Sequence, residues 1–426
     1  MRRSVASLAL AIALSSSAGA SFAESIDPAP SPEPAAAAAL KDQFAALSTA
    51  QARLAWNLIL GAAPGADPTI SPAGLASVFA ALSEGADAKM KDAIVKSLGF
   101  DAAGAKAGLP ALKAARASVA GVDPSVFVSK DLIVFSPGQP PSDFIRGALD
   151  GAKISYSISD LAKAESVKKI DAWVAKTTND AIPEILGQPL DKAELVALNA
   201  LHFKAKWKTP FDPGKTEDAT FTDAEKKPDK VRMMHLPEAD RMFRMEKGFV
   251  GVSLPFAGER FSLVVVTSDG DAPKLAKEFE PVASWLSGDG FELRKGDLAL
   301  PRFSLKGSAN LLPTLDKQGL ALARKSPASL AMLAQGAMLD QVQQRATIDV
   351  DEEGAEAAAA TAVIMDRSLS MEDVVHMVVD KPFLFSLRDK DTGLIVVAGY
   401  VGHTPKGKVK TASEADAKPK AEGAPK

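Results

Sequence analysis

The stretch from Asp351 to Leu369, DEEGAEAAAATAVIMDRSL, limits what this chain can fold into more than any other. It opens with the acidic pair Glu352 and Glu353, then Gly354, whose backbone can take angles that other residues avoid. The residues that follow are mostly small and apolar, up to the polar group Asp366-Arg367-Ser368 before Leu369. Alanine-rich composition of this kind suits a helix or a flexible linker. Read as a strand, the same residues put alternate side chains on one face. Ala355, Ala357, Ala359, Thr361, Val363 and Met365 then share a face that is entirely small or apolar. Glu356, Ala358, Ala360, Ala362, Ile364 and Asp366 share the other, with charge only at its two ends. No proline occurs between Ala328 and Lys381, so nothing there vetoes a central strand. The segment can be an exposed loop, and it can also become a buried strand.

The two ends of the chain read differently from its body. Residues 1–23 carry Arg2 and Arg3, an apolar run from Leu8 to Leu14, and small residues at Ala18-Gly19-Ala20 and Ser21-Phe22-Ala23. That is the pattern of an export signal, and the run is too short to span a bilayer. A periplasmic or extracellular destination is therefore expected. Residues 24–39 are rich in Pro, Ala and Ser and read as a linker. Residues 406–426 are rich in Lys, Ala and Pro without periodicity and read as a disordered tail. The sequence has no cysteine, so the fold rests on its core, for which 46% hydrophobic residues suffice. A net charge of -3 gives no support to nucleic-acid binding, and no second long apolar run suggests membrane insertion.

Between those ends, helices and strands alternate. Phe44, Leu47, Leu54 and Leu58 recur at helical spacing over residues 40–60. Ser71-Pro72 starts a second helix, with Ser71 as cap and Leu75, Val78, Phe79 and Leu82 as its apolar side. Val126 to Phe135 reads as a strand and Val167 to Leu186 as a helix. Leu195 to Trp207 is a long β-prone run. Phe249–Leu254 pairs with Phe261–Val266 around Gly258, and a helix is expected over Leu311 to Leu320. Pro382–Phe385 and Leu394–Gly399 flank the polar turn Arg388–Gly393, which makes a hairpin.

Catalytic chemistry finds little footing. The four histidines His202, His235, His376 and His403 show no metal-ligand spacing. Asp391-Thr392-Gly393 copies an aspartic-protease triplet but follows the charged turn Arg388-Asp389-Lys390, where a shielded carboxylate pair would be needed. Ser166 to Lys169 fits a Ser-x-x-Lys pattern too short to carry weight. Neither a GxSxG elbow nor a phosphate-binding loop is present. Lys89, Lys91, Lys96, Lys106 and Lys113 are interspersed with acids and read as a solvated face rather than a polyanion site. No enzyme, cofactor or metal is expected.

Glu352-Glu353-Gly354-Ala355-Glu356-Ala357-Ala358-Ala359-Ala360-Thr361 resembles the hinge of the reactive-centre loop of a serpin. Four further segments extend the resemblance over nearly all of residues 40–405. Ile70 to Ala86 resembles the helix beneath the main sheet, and Ile170-Asp171-Ala172-Trp173-Val174 the helix that crosses its face. Asn199 to Trp207 with Pro210-Phe211 resembles a central strand whose tryptophan marks the loop's entry point. The C-terminal hairpin resembles the strands that close the domain. The resemblance implies an α+β fold with a large central mixed β-sheet A, smaller sheets B and C, about eight to nine helices, and an exposed loop at about residues 352–371. It also implies a polar cluster under the sheet containing Ser71, Asn199 and Gln344, with Gly74 and Gln344 in place of the usual serine and histidine. Asp67 and Asp171 stand where asparagine is common, and Ala355 where Thr or Ser is usual.

On this resemblance the chain is a monomeric suicide inhibitor of serine proteases, trapped in a covalent 1:1 complex when the cut loop enters sheet A. Alternatives are a non-inhibitory binding protein of the same fold, or a hydrolase. The family's usual spacing puts the scissile bond at Ser368-Leu369. Chemistry favours Arg367-Ser368, because arginine pairs with a buried carboxylate in a trypsin-like pocket. Subtilisin-like or elastase-like proteases cutting near Met365 or Ser368 are the second reading.

Overall fold

The computed structural model describes residues 34–407 except 63–64, 102–104, 120–121, 124–125, 152, 272–275, 335 and 355–373. The export signal expected at 1–23, most of the linker, nearly all of the C-terminal tail and the loop from Ala355 to Asp373 lie outside the described residues. Leu40–Lys426 forms one compact unit and Met1–Ala39 another.

In chain order the described elements begin with α1 (Pro34–Leu60), β1 (Thr69–Ile70), α2 (Pro72–Leu82), α3 (Ala88–Ser97), α4 (Ala105–Val119), β2 (Phe127–Phe135), α5 (Asp143–Gly151), β3 (Ser155–Ile158), α6 (Ala164–Thr177) and β4 (Leu195–Phe203). Strands β5 (Glu217–Thr222), β6 (Pro228–Glu246), β7 (Phe249–Pro255), β8 (Phe261–Ser268), β9 (Glu292–Pro301) and β10 (Phe303–Asn310) follow. The chain continues through α7 (Leu312–Leu315), α8 (Leu322–Lys325), β11 (Leu339–Val350), β12 (Val375–Val378), β13 (Phe383–Asp389) and β14 (Ile395–Val401).

Two sheets result. The five-stranded one has the order β10-β11-β4-β2-β3 and is mixed, with β11 parallel to β4 and β3 parallel to β2. The nine-stranded one runs β1-β14-β13-β8-β7-β6-β9-β12, with β5 joined to β6. The two smaller sheets expected from sequence are continuous because the 19-residue β6 passes through both, bending where its register with β9 shifts between Leu236 and Ala239.

The five-stranded sheet is covered on both faces. On one face Leu132, Val134, Val196, Leu198 and Ala200 pack against Val167, Ile170 and Val174 of α6. On the other, Ile133, Phe135, Leu195, Ala197, Leu201 and Phe203 join the main core with α2. This two-sided burial explains why β4 reads as a nearly unbroken apolar run. Helix α2 starts as its sequence predicts, Ser71 Oγ accepting from Gly74 N at 3.0 Å with Pro72 in the first turn.

Three boundaries differ from the sequence reading. The alanines read as linker up to Ala39 belong to α1, since alanine is the strongest helix former and Pro34 sits where its missing N–H costs nothing. Helix α6 stops at Thr177 rather than Leu186, because Asn179 and Asp180 take positive φ and Pro183 follows. Ile182 and Ile185 nevertheless stay packed on the sheet. The helix expected over Leu311–Leu320 is α7 followed by a wider turn at Asp316–Leu320, broken by Gly319 at φ +112°.

Candidate functional site

Strand β11 ends at Val350, and the next four residues make a tight turn. Asp351 N donates to Gly354 O at 2.9 Å, while Asp351 Oδ1 accepts from Glu353 N at 2.9 Å and Gly354 N at 3.3 Å. Gly354 has φ +142°, and a Cβ there would lie 2.1 Å from Ala205 O. Only glycine fits that approach.

The turn is docked on the segment that follows β4. Trp207 N donates to Glu353 O at 2.9 Å, Phe211 N to Glu352 O at 2.8 Å, and Trp207 Nε1 to Asp351 O at 2.9 Å. Lys206 and Gly354 form an antiparallel bridge. Trp207 is itself fixed by stacking on Phe256, ring centroids 4.3 Å apart. The tryptophan and hinge acids singled out in the sequence are thus in direct contact.

Glu352 is 1% exposed. Its Oε1 accepts from Arg302 Nε at 2.7 Å and Nη2 at 2.5 Å, and from the Thr216 hydroxyl. Burial pushes its carboxyl upward, but the hydrogen bonds from Arg302 and Thr216 outweigh it and hold the carboxyl below the ordinary range. The hinge therefore begins at a buried, paired carboxylate. Arg302 and Thr216 were not identified as partners from sequence. Nothing in the spacing of either residue points at Glu352.

Below the hinge, β4 and β11 are direct parallel neighbours from Leu195↔Leu339 to Phe203↔Ile348. Side chains reinforce this seam. Gln344 Nε2 donates to Asn199 Oδ1 at 3.0 Å and to Ser71 O at 2.8 Å, and Gln344 Oε1 accepts from Ser71 N at 2.6 Å. The three residues expected in one cluster are together, each no more than 2% exposed. His202 Nδ1 lies 2.9 Å from Thr347 Oγ1 across the same seam.

The cluster extends to a residue the sequence reading missed. Asn199 Nδ2 donates to Asp131 Oδ1 at 2.7 Å, and the Ser77 hydroxyl donates to the other carboxylate oxygen. Asp131 lies on β2 with the same parity as the core residues Ile133 and Phe135. An acid at a core-facing strand position was the signal that could have found it. The change to Gly74 belongs to the same arrangement, for a Cβ there would lie 1.9 Å from Asn199 Oδ1.

The two aspartates in asparagine-like positions act as acceptors. Asp67 receives Gly402 N at 2.8 Å and contacts His403 Nδ1 at 3.0 Å. Asp171 receives Ile185 N at 2.8 Å, Leu186 N at 2.9 Å and Gly187 N at 3.1 Å. Asp391 sits beside Asp389, which is fully buried and held by Arg260 at 2.9–3.0 Å and by Thr392 at 2.8 Å. That pairing is a cationic staple, unlike a proton-sharing dyad. His235 contacts Glu217 at 3.4 Å, and His376 contacts Asp297 at 2.5 Å. Residues Ala355 to Thr361 of the hinge, and Arg367, Ser368 and Leu369, lie outside the described residues.

Known proteins resemble the chain in sequence and in fold. Residues 51–403 match the family model described as Serpin (serine protease inhibitor). The chain is 28% identical over 381 residues to the leukocyte elastase inhibitor of Bos taurus, covering 83% of this chain and 98% of that protein. Among solved structures, the thermophilic serpin Tengpin in its native state superposes with a TM-score of 0.73 at 21% identity, covering 84% of this chain and 94% of the other. Human thyroxine-binding globulin complexed with its ligand gives 0.74 at 20% identity, covering 85% and 100%. At these identities the structures attest to the fold alone. The family match over residues 51–403 is broader evidence, and by it this chain belongs to the serpin family of serine protease inhibitors.

Proposed function

We propose that the protein is an exported, single-use inhibitor of trypsin-like serine proteases that acts by inserting its cut loop between β4 and β11. The protease's serine oxygen bonds to the carbonyl carbon of Arg367, and the Arg367-Ser368 peptide bond breaks, the new amine leaving with a proton from the protease's base. Insertion then outruns hydrolysis of the ester, leaving one protease covalently held per inhibitor.

The observation that carries this reading is the docked hinge above a parallel seam. Continuing the antiparallel bridge Lys206–Gly354 downward puts Ala357 opposite Phe203, Ala359 opposite Leu201, Val363 opposite Ala197 and Met365 opposite Leu195. Those β4 positions face the main core. In this register the small, apolar face of the loop is the buried one. Thr361, its one polar member, falls opposite Asn199, whose β11 partner is Gln344. Its hydroxyl can stand in for the direct Asn199–Gln344 hydrogen bond that opening the seam breaks.

Energy favours the exchange. One parallel ladder is replaced by two antiparallel ones, which are slightly more stable per residue. About ten added ladder hydrogen bonds at roughly 0.5–1.5 kcal/mol net each set the scale. Arginine before the scissile bond selects a pocket with a buried carboxylate. Mass spectrometry of the C-terminal peptide released with trypsin tests the assignment. A fragment beginning at Ser368 is expected. One beginning at Leu369 or Asp366, with weak trypsin inhibition, overturns it in favour of a subtilisin-like or elastase-like target.

A further inference from the structure

We infer that the strap formed by residues 402–407, just past the last strand, is a positioning element of the hinge: it braces the stem of Arg302 so that the guanidinium stays on Glu352. Residues beyond a last strand are loose unless something ties them down. These are tied along their length. Strand β14 ends at Val401, and Gly402 N then donates to Asp67 Oδ1 at 2.8 Å while Gly402 O accepts from Ala224 N at 2.7 Å. His403 Nδ1 contacts Asp67 at 3.0 Å, Pro405 is buried, and Lys406 O accepts from Ser304 N at 2.9 Å. The strap thus runs from the end of β14 to the start of β10.

Arg302 is what it meets there. A Cβ at Gly407 would lie 2.7 Å from Arg302 Cβ and 3.4 Å from its Cδ, so the strap's backbone lies against the arginine stem with no room for a side chain between them. An arginine free to turn samples many rotamers, and holding it in one costs conformational entropy. Contact along the stem removes alternatives before the guanidinium is placed. The backbone beneath is pinned as well: Arg302 N donates to Arg232 O at 2.9 Å, and Ser304 N is the donor to the strap. Arg232 also donates from Nη2 to Thr216 O at 2.8 Å. Both side chains that hold the Glu352 carboxylate are therefore mounted on one residue of β6, and the strap closes on Arg302 from outside.

What this bracing controls is the docking of the turn. Glu352 gives its side chain to Arg302 and Thr216 and its carbonyl to Phe211 N, and the next carbonyl, of Glu353, accepts from Trp207 N. A carboxylate held firmly keeps the adjoining backbone on the segment after β4, and one held loosely lets the turn lift. For its consequence the inference rests on the insertion reading above, in which the ties at the hinge break before the cut loop seats. The strap then sets how readily the hinge is released. A strap that only buried Pro405 would stabilise the fold whatever stood at position 352, and the two cases are separable.

Hydrogen exchange of the uncut protein reads the hinge directly, because Trp207 N and Phe211 N are bonded to the turn only while it is docked. Exchange in peptides spanning residues 204–211 is followed for wild type, Gly407→Val, a chain ending at Thr404 and a chain ending at Lys410, each also in the Glu352→Gln background. Gly407→Val and the chain ending at Thr404 are expected to exchange about tenfold faster than wild type, as loss of one hydrogen bond to a charged group implies. The chain ending at Lys410 keeps the strap and should match wild type. In the Glu352→Gln background the strap variants should add nothing to the effect of that substitution, since both act on one contact. Unchanged exchange in the strap variants overturns the inference. A rise that persists in full in the Glu352→Gln background overturns it too, in favour of a strap that only covers apolar surface. If the chain ending at Thr404 does not fold, Gly407→Val decides alone. No protease enters the measurement, so the inhibitor reading falls separately, when wild type forms no covalent complex with trypsin.

Discussion

Glu352 shows how one buried side chain can govern a hinge. Its carboxylate is desolvated yet paired with Arg302 and Thr216, and the pairing wins, so its folded pKa lies below the ordinary 4.5. A depressed carboxylate stabilises the fold at pH above its unfolded value, and that contribution fades as pH falls through the folded value. Glu352→Gln should therefore be less stable than wild type by about 1–3 kcal/mol at pH 7, the usual loss for a hydrogen bond to a charged group. The difference should shrink as pH falls below the ordinary carboxylate range and vanish once pH is under the depressed folded value, as denaturant midpoints taken across that range will show. A constant difference from pH 7 to 3 would mean the carboxylate's charge plays no part. Gly74 offers a second residue-scale test. Adding one methyl as Gly74→Ala forces the Asn199 amide off a position 1.9 Å from the new Cβ. The displaced amide breaks the Asn199–Gln344 tie, so the thermal midpoint should drop by several degrees, as about 1–3 kcal/mol would produce.

At the scale of elements, the proposed mechanism makes the seam between β4 and β11 decide between inhibitor and substrate. In the inserted state proposed above, Ala357 would fall opposite Phe203, a fully buried core position. Ala357→Arg should keep the loop cleavable but prevent the strand from seating, because an unpaired buried charge costs several kcal/mol. Electrophoresis after incubation with trypsin should show cut inhibitor and no denaturant-resistant complex. Unchanged inhibition by this variant would rule out strand insertion through this stretch. Of the seam, β4 was legible beforehand from its two-sided apolar run, a local signal like the Ser71-Pro72 cap of α2 and the polar turn between β13 and β14, whereas its partner β11 was not called as a strand. Resemblance brought Ser71, Asn199 and Gln344 into one cluster, which periodicity alone could not. What stayed illegible was pairing at long range. Arg302 and Glu352 lie fifty residues apart, and Asp131 reaches Asn199 across a strand pair. The ends of α1 and α6 were misplaced for a local reason, the competition between alanine propensity and composition in one and positive-φ Asn179 and Asp180 in the other.

For the molecule as a whole, the seam as it stands is closed, and on the proposed mechanism the cut chain has a better alternative to it. Its nearest-neighbour strands are parallel, its side-chain ties include a buried network through Asp131, Asn199, Gln344 and Ser71, and its hinge is pinned by Glu352 and Gly354. Each tie must break before a strand can enter, so insertion meets a barrier, and on the proposed mechanism that barrier rather than lower free energy preserves the present state. The described chain on either side of residues 355–373 is fixed, Gly354 by its bridge to Lys206 and β12 by its pairing with β9. Cutting the loop frees the first end from the second. Loop-cut protein should therefore melt well above intact protein, by tens of degrees if about ten ladder bonds at roughly 1 kcal/mol each are added. Differential scanning of intact and trypsin-cut samples at two scan rates makes the comparison. With the intact state under kinetic control, as the proposed mechanism requires, its apparent midpoint should also shift with scan rate. Equal midpoints for cut and intact protein would mean the seam stays shut after cleavage, and the protein would then be a binding member of its family that merely carries a cleavable loop.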